Sequence, residues 1–424
     1  MIAQQPPKKI SRVCFFNPQG YVMYPPPLGK TDTGGQTLYI LQLARALGRK
    51  GIKVDIVTRQ FDNMPAEEAL WENVTIVRIP CGKPTFVQKE RLYELVPEMV
   101  ENFMHYIEKK RKRYDIVHSH YWDGGYGGLL LAKMLDIPHV WTPHSLGKMK
   151  KLGMSVEKLP PQKLSPAYRY HVRIAIEQKL LNKANAVVTI CETNRIQLLE
   201  HYIVDFEKIH MIYPGVDIQY FNTKENKTDA DIKLGKDAIL TVSRLVPAKG
   251  LDLIIEALSL IKNQTDFNLH IAGGTAEEKK SAEELETEKQ LKDMIGRYKL
   301  TQRVGFIGFV DHDKILPSYY RKADLFILGG RYEPFGLTTL EAMACGTVPI
   351  VSSVAGSREV IVDRLNGFIV DTQDKKALSK LILEILTNHK LRKKVAENAA
   401  FTIKEHYAWD KIVDKFIKLY KDLL

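Results

Sequence analysis

Residues 325–353 read LFILGGRYEPFGLTTLEAMACGTVPIVSS. A short apolar run at 325–330 gives way to a polar turn, a helical stretch begins near Gly336, and a second apolar, β-branched run closes the segment at 348–353. Strand, helix, strand is the βαβ unit of a parallel sheet. The same alternation extends in both directions. Upstream in this half, strand candidates lie at 238–244, 268–274 and 303–309, and an earlier series occupies 12–17, 53–59, 74–81, 115–120, 139–144 and 186–191. Helices are predicted in the gaps. The one at 37–50 carries its apolar residues at three- and four-residue spacing and stops at Gly51. A polar stretch, 219–237, separates the two series. The pattern predicts an α/β chain of two Rossmann-like parallel-sheet domains, 1–217 and 218–405, facing a cleft. Ligands of such sheets gather at the carboxyl ends of the strands.

The chain has 424 residues, 45% of them hydrophobic, enough for two packed cores. Its charge of +12 is uneven: residues 1–215 hold 30 basic and 20 acidic side chains, whereas 216–424 hold 32 and 30. The N-terminal half therefore suits an anionic partner: nucleic acid, anionic lipid or a phosphorylated small molecule. The basic run Lys109–Arg113 ends a helical stretch before a strand, where cations also offset the helix dipole, and it is read as structural. Cys14, Cys81, Cys191 and Cys345 are far apart, without metal-ligand spacing. The N-terminus lacks an apolar targeting core, and no long uncharged apolar run follows. A cytoplasmic protein without membrane insertion is expected.

There is no GxxxxGK[ST], and Gly124-Gly125-Tyr126-Gly127-Gly128 does not fit GxGxxG, so NTPase and dehydrogenase readings lose their support. The triplets Asp229-Ala230-Asp231 and Asp311-His312-Asp313 have the form that holds a metal in some sugar transferases. The first lies in the polar junction and the second opens a helix, so both are read as structural. The 276–299 stretch reads as one solvated helix. The loop before Gly336 leaves the backbone N–H groups of 335–338 free to meet an anion, with Glu333 before the helix and Glu341 within it. Ser243-Arg244-Leu-Val-Pro-Ala-Lys249-Gly250 follows another strand, and its guanidinium and ammonium can neutralise a diphosphate without metal.

Together RYEPFGLTTLEAMACG, SRLVPAKG, YPGVD (213–217) and TGGQTLYI (33–40) resemble the retaining glycosyltransferases of family 4, which have the GT-B fold. The resemblance implies that Glu333 and the backbone of Phe335, Gly336 and Leu337 hold donor-sugar hydroxyls. It gives Glu341 the ribose, Arg244 and Lys249 the diphosphate, and Gly35 a close approach to those phosphates. His144 matches the family histidine beside the anomeric centre. His144, Arg244, Lys249 and Glu333 are thereby the catalytic group. The stretch 406–424 resembles the terminal helix that crosses back onto the first domain in this fold.

Within the family, Thr31–Gln36, Ile79–Gly82, Ser119–Asp123, His144–Lys150 and His171–Ile174 are most similar to the sucrose-phosphate and mannosylfructose-phosphate synthases. That likeness implies fructose 6-phosphate as acceptor, with Lys89, Lys150 and Arg173 around its phosphate and Gln36, Tyr121, Asp123 and Ser145 lining the rest of the site. One departure is Val172-Arg173 where many relatives have two arginines. The expected reaction is transfer of a hexosyl group from a nucleotide diphosphate sugar, UDP-glucose first, to give sucrose 6-phosphate, with no metal or cofactor. GDP-mannose as donor, ADP-glucose, and another sugar acceptor are the alternatives; a nucleotide-sugar epimerase and a non-enzymatic nucleic-acid binder explain fewer of the residues. A separate sugar phosphatase is expected downstream, with the protein a monomer or weak oligomer.

Overall fold

The computed structural model describes residues 9–28, 30, 32–156, 169–274 and 280–424. The N-terminal targeting reading (1–8), Thr31 and the first residues of the 276–299 helix lie outside the described residues. The chain falls into two compact units: one runs through Tyr213, except for Pro27–Lys30, and includes Asp410–Leu424, and the other is Pro214–Trp409 with Pro27–Lys30.

The first unit is built on eight strands: β1 (Arg12–Phe16), β2 (Lys53–Arg59), β3 (Glu67–Trp71), β4 (Val74–Ile79), β5 (Ile116–His120), β6 (His139–Thr142), β7 (Ala186–Thr189) and β8 (Ile209–Met211). Their order is β3-β4-β2-β1-β5-β6-β7-β8. All pairs are parallel except the edge strand β3 against β4. The second unit has β9 (Ala238–Val242), β10 (Asn268–Ala272), β11 (Val304–Gly308), β12 (Leu325–Leu328), β13 (Val348–Ser352) and β14 (Phe368–Val370). Their order, β11-β10-β9-β12-β13-β14, is parallel throughout. Both are doubly wound sheets whose strand order reverses at one point, between β1 and β5 and between β9 and β12. Sheets of this kind bind ligands at the carboxyl ends of those strands.

Apolar runs became strands because both faces of each sheet are covered: Val13, Phe15, Ile56, Val117, Ile239, Ile327 and Ile350 are fully buried. Three strands went unread. β3 carries Glu67 and Glu68 on an exposed edge, and β8 and β14 are only three residues each, too short for a period to show. Several predicted strands also end two residues early. β12, for example, stops at Leu328, which frees Gly329 and Gly330 for the loop that follows. The helix foreseen at 37–50 is Gly35–Arg49, and the solvated one is Ala282–Arg297, started by a capping box between Ser281 and Glu284. Lys110 and Lys112 of the basic run pair with Glu67 and Asp55.

The glycine run has a packing role. Helix Tyr121–Leu135 lies so close to the sheet that a Cβ on Gly127 would sit 2.3 Å from the Phe16 ring, and one on Gly124 2.7 Å from the Phe16 carbonyl. Helix Trp409–Asp422 completes the first unit: Phe416 and Tyr420 are buried, and the Tyr420 hydroxyl meets His118 Nδ1 at 2.6 Å. Lys50 pairs with Asp414 on the outer side of the same helix.

Candidate active site

In the first unit the chemistry gathers behind β5 and β6. Tyr121 leaves β5 with a left-handed backbone (φ 67°) and opens the next helix, which turns its ring into a buried pocket. Its hydroxyl accepts hydrogen bonds from Arg173 Nη1 (2.7 Å) and Lys150 Nζ (3.1 Å), while the Arg173 guanidinium also lies 4.6 Å over the ring. Arg173 comes from helix Tyr170–Lys183. It is held by Glu177 Oε1 at 2.7 Å and by the Ser145 carbonyl at 2.7 Å, with the Ser145 hydroxyl at 3.3 Å. Glu177 is fully buried, accepts from the Gly147 N–H, and is also bonded to the Tyr202 hydroxyl.

Lys89 starts a short helical turn, and both its ammonium and its backbone N–H are bonded to Asp32. Burial pulls its pKa down, but the Asp32 carboxylate more than reverses the shift. Burial alone would raise the Tyr121 pKa, yet Arg173, Lys150 and Lys89 together lower it. The Lys150 ammonium is pulled below its ordinary value by burial, against the Tyr121 oxygen and with the help of Arg173 and Lys89. Two cations therefore bond to one oxygen and the charge of a third, Lys89, acts on it. Glu177 is the carboxylate on Arg173, while Asp32 and, at 3.7 Å, Glu90 face Lys89. A guanidinium and two ammonium groups in one unit suit a phosphate monoester.

The remaining acceptor-side residues border this group. Asp123 is fully buried; its Oδ1 accepts from the Gly124 N–H at 2.7 Å, and its Oδ2 has no hydrogen-bond partner among the described residues. Burial pushes its carboxyl up to about 7. Gln36 is bonded through Nε2 to Asn17 Oδ1 (2.8 Å) rather than to the cations. Gly35 is exposed at the first turn of its helix, where no side chain caps the N–H groups. His144 has a left-handed backbone (φ 56°), packs edge-on against Tyr39, and shares a 3.0 Å hydrogen bond from Nε2 to His120 Nδ1. Burial lowers its pKa to about 3, so it is neutral.

In the second unit Lys249 ends the 3₁₀ turn Pro247–Lys249 and reaches Glu333 Oε2 at 2.5 Å. Arg244 is exposed, and its guanidinium has no hydrogen-bond or ion-pair partner among the described residues. Gly336 takes a left-handed backbone (φ 100°) at the start of helix Leu337–Ala344; a Cβ there would lie 2.6 Å from the Leu328 side chain. No side chain among the described residues caps that helix. Phe335 is buried, and its carbonyl accepts from Ser357 N at 2.7 Å. Leu337 is partly exposed. Glu341 is 3% exposed and held from within its own unit: Oε1 by His312 Nε2 at 2.8 Å and Oε2 by the Tyr320 hydroxyl at 3.1 Å.

The structure thus brings together Tyr121, Ser145, Lys150 and Arg173 in one unit and Lys249 with Glu333 in the other. Several supporting residues went unread: Asp32, Glu177, His120, Tyr320 and Arg331. Glu177 had a signal, four residues after Arg173 on one helix face. Arg331 forks onto Asp252 at 2.8 and 2.6 Å and bonds the Pro247 carbonyl, tying the loop of Glu333 to that of Lys249. Asp229 is gripped by both ends of the Arg321 guanidinium, and Asp311 accepts from Lys314 N just before helix Leu316–Lys322. Both triplets have structural work, but His312 between its aspartates also reaches Glu341.

Two family models match this chain, Glycosyltransferase Family 4 over residues 33–220 and Glycosyl transferases group 1 over 222–402. The chain is 34% identical to mannosylfructose-phosphate synthase of Agrobacterium fabrum over 97% of this chain and 91% of that one. It is 31% identical to a probable sucrose-phosphate synthase of Thermosipho melanesiensis, covering 96% of each. A D-inositol 3-phosphate glycosyltransferase of Geodermatophilus obscurus is 28% identical over 92% of this chain and 85% of its own length. Among solved structures, sucrose-phosphate synthase from Thermosynechococcus elongatus superposes with a TM-score of 0.83 at 26% identity, covering 97% of this chain and 99% of that one.

Proposed function

Because the chain belongs to glycosyltransferase family 4, as a hexosyltransferase of the sucrose-phosphate and mannosylfructose-phosphate synthase type with two GT-B Rossmann-like domains, we propose that it transfers glucose from UDP-glucose to fructose 6-phosphate, forming sucrose 6-phosphate with retention at the anomeric carbon. One observation carries the acceptor: Arg173 and Lys150 both donate to the Tyr121 hydroxyl, and the charge of Lys89 acts on the same oxygen. A phosphate monoester offers oxygens to a guanidinium fork and two ammonium groups at once. The relatives named above for a sugar phosphate or an inositol phosphate support a phosphorylated acceptor.

On the donor side, Arg244, Lys249 and the uncapped helix end at Leu337 balance the charge that grows on the departing diphosphate. That is a transition-state demand. In the proposed front-face step, the C1–O bond to the diphosphate breaks while the acceptor hydroxyl oxygen bonds to C1 from the same side. The hydroxyl proton passes to the leaving phosphate oxygen. Glu333 accepts from donor-sugar hydroxyls, and neutral His144 meets the sugar beside the anomeric centre as a hydrogen-bonding group. The step uses no metal. The product keeps its phosphate, so its removal falls to a separate phosphatase.

GDP-mannose is the second reading, favoured by the 34% identity to mannosylfructose-phosphate synthase over nearly the whole chain. The test is a panel of UDP-, GDP- and ADP-sugars with fructose 6-phosphate, D-inositol 3-phosphate or no acceptor, followed by nucleotide release and NMR of the product. UDP release that requires fructose 6-phosphate is expected. GDP release from GDP-mannose with the same acceptor selects the second donor, and release indifferent to the acceptor rejects both.

A further inference from the structure

His312 is the middle residue of the Asp311-His312-Asp313 triplet that precedes helix Leu316–Lys322. It lies 29 residues before Glu341 in the chain, yet its ring is buried against it. Nε2 stands 2.8 Å from Glu341 Oε1, and Nδ1 stands 2.5 Å from Asp313 Oδ1. The Phe221 ring packs 4.9 Å away, and the Tyr320 hydroxyl holds the far oxygen of Glu341. The ionisable groups facing the imidazole or its carboxylate partner are thus Asp313 from its own loop, Glu341 from helix Leu337–Ala344 and Tyr320 from helix Leu316–Lys322, with Cys345 nearby on the next turn.

Donor and acceptor inventory narrows the ring's state. An ionised carboxylate only accepts hydrogen bonds, and a neutral imidazole has one N–H and one lone pair. With a carboxylate at each nitrogen, a neutral ring would aim its lone pair at one of them. A ring protonated on both nitrogens donates to both. Burial alone would lower the His312 pKa, but Glu341 and Asp313 raise it to about 10.

We propose that His312 is a positioning residue for the sugar donor: as an imidazolium lodged between Asp313 and Glu341, it fixes the orientation with which Glu341 receives the nucleotide. His312 and Tyr320 each occupy one position on a Glu341 oxygen. A carboxylate oxygen has a further lone pair, so each Glu341 oxygen keeps one with which to accept from a ligand hydroxyl. Without the imidazolium, the buried carboxylate loses its counter-cation and its preferred rotamer. The inference rests on the reading of Glu341 as a donor-binding residue.

Two measurements on the full chain test it. The first is calorimetric titration of UDP and GDP into the wild type, Glu341→Gln, His312→Phe and His312→Gln, with thermal melts confirming that each is folded. Loss of at least tenfold in nucleotide affinity is expected for His312→Phe. Partial recovery is expected for His312→Gln, which retains an N–H near Nε2, and the KM for the acceptor should stay unchanged in both. If Glu341→Gln binds nucleotide as the wild type does, the reading of Glu341 fails. If Glu341→Gln is weakened and His312→Phe is not, the positioning role is overturned. The second measurement needs neither activity nor a variant: ¹⁵N spectra of labelled wild type at pH 8, with the His312 ring assigned by through-bond correlation to its own backbone resonances. Two protonated ring nitrogens are expected; a neutral ring overturns the proposal.

Discussion

Arg173 and Glu177 form a buried pair in which each partner has other duties: Arg173 holds Tyr121 and Ser145, and Glu177 accepts from Gly147 and Tyr202. Removing the cation alone leaves a buried carboxylate without its partner. Arg173→Ala is therefore expected to lose about 3–5 kcal/mol in a denaturant melt, and Arg173→Ala/Glu177→Gln to regain much of that without regaining acceptor affinity. Recovery of the acceptor KM in the double variant would place the phosphate elsewhere. Lys249→Ala should reduce turnover about 100-fold or more, as removal of other charge-stabilising groups does; a near-normal kcat would remove Lys249 from the mechanism. Asp123 supplies a pH test. Its carboxyl rises to about 7 in the fold, so the folded state binds a proton that the unfolded chain has already released, and its contribution to stability is lost as pH rises from about 4 to 7. Asp123→Asn should consequently be more stable than the wild type at pH 8, by up to about 4 kcal/mol, with no gain at pH 4. The side chains that touch ligands in this reading were legible in sequence because they stand in motifs. Their supports were not: nothing in residues 311–313 says that His312 points at a helix 29 residues on.

Elements place those side chains through their ends. Tyr121, His144 and Gly336 all have left-handed backbones at the exit of a strand or the start of a helix, where the chain turns sharply enough to aim a side chain or an N–H along the strand axis. Glycine takes that conformation freely, whereas tyrosine and histidine do so at a cost that the surrounding bonds must offset. Gly336→Ala is expected to be destabilised by at least 1 kcal/mol, since its Cβ would also meet Leu328, and to bind nucleotide more weakly because the helix start shifts. An unchanged melt with unchanged nucleotide affinity would show that this turn does not set the helix end. Alternation of apolar runs was sufficient to read the long buried strands, β1, β2, β5 and β9 among them. It could not register β8 and β14, whose pairing depends on a neighbour already in place, or the antiparallel β3, where partly exposed glutamates obscure the period.

At the scale of the whole molecule the two units answer acid differently. His118, His120, His139 and His144 are buried and held below their ordinary pKa, so the unfolded chain takes up protons that the fold refuses; stability is present above pH 6.5 and falls as pH drops below it, for His139 and His144 down to about 3. In the second unit Asp229, lowered to about 2 by Arg321, gives up its contribution only below about pH 4, while His312 contributes until pH approaches 10. Hydrogen exchange at pH 5 should therefore show protection lost in residues 116–142 before 238–272; the reverse order would contradict the neutral histidines. Doubly wound sheets were readable at this scale from the restart of the strand pattern after residue 237, but the partner of His118 was not, because Tyr420 is 302 residues away. That separation bears on synthesis. As the polypeptide emerges from a ribosome, residues 12–211 can form their sheet, yet the helix that covers His118 is still untranslated and the entire second unit must follow before it arrives. The first unit to be made is therefore the last to be finished, and a nascent chain stalled before residue 409 would present its histidine floor to solvent and to chaperones.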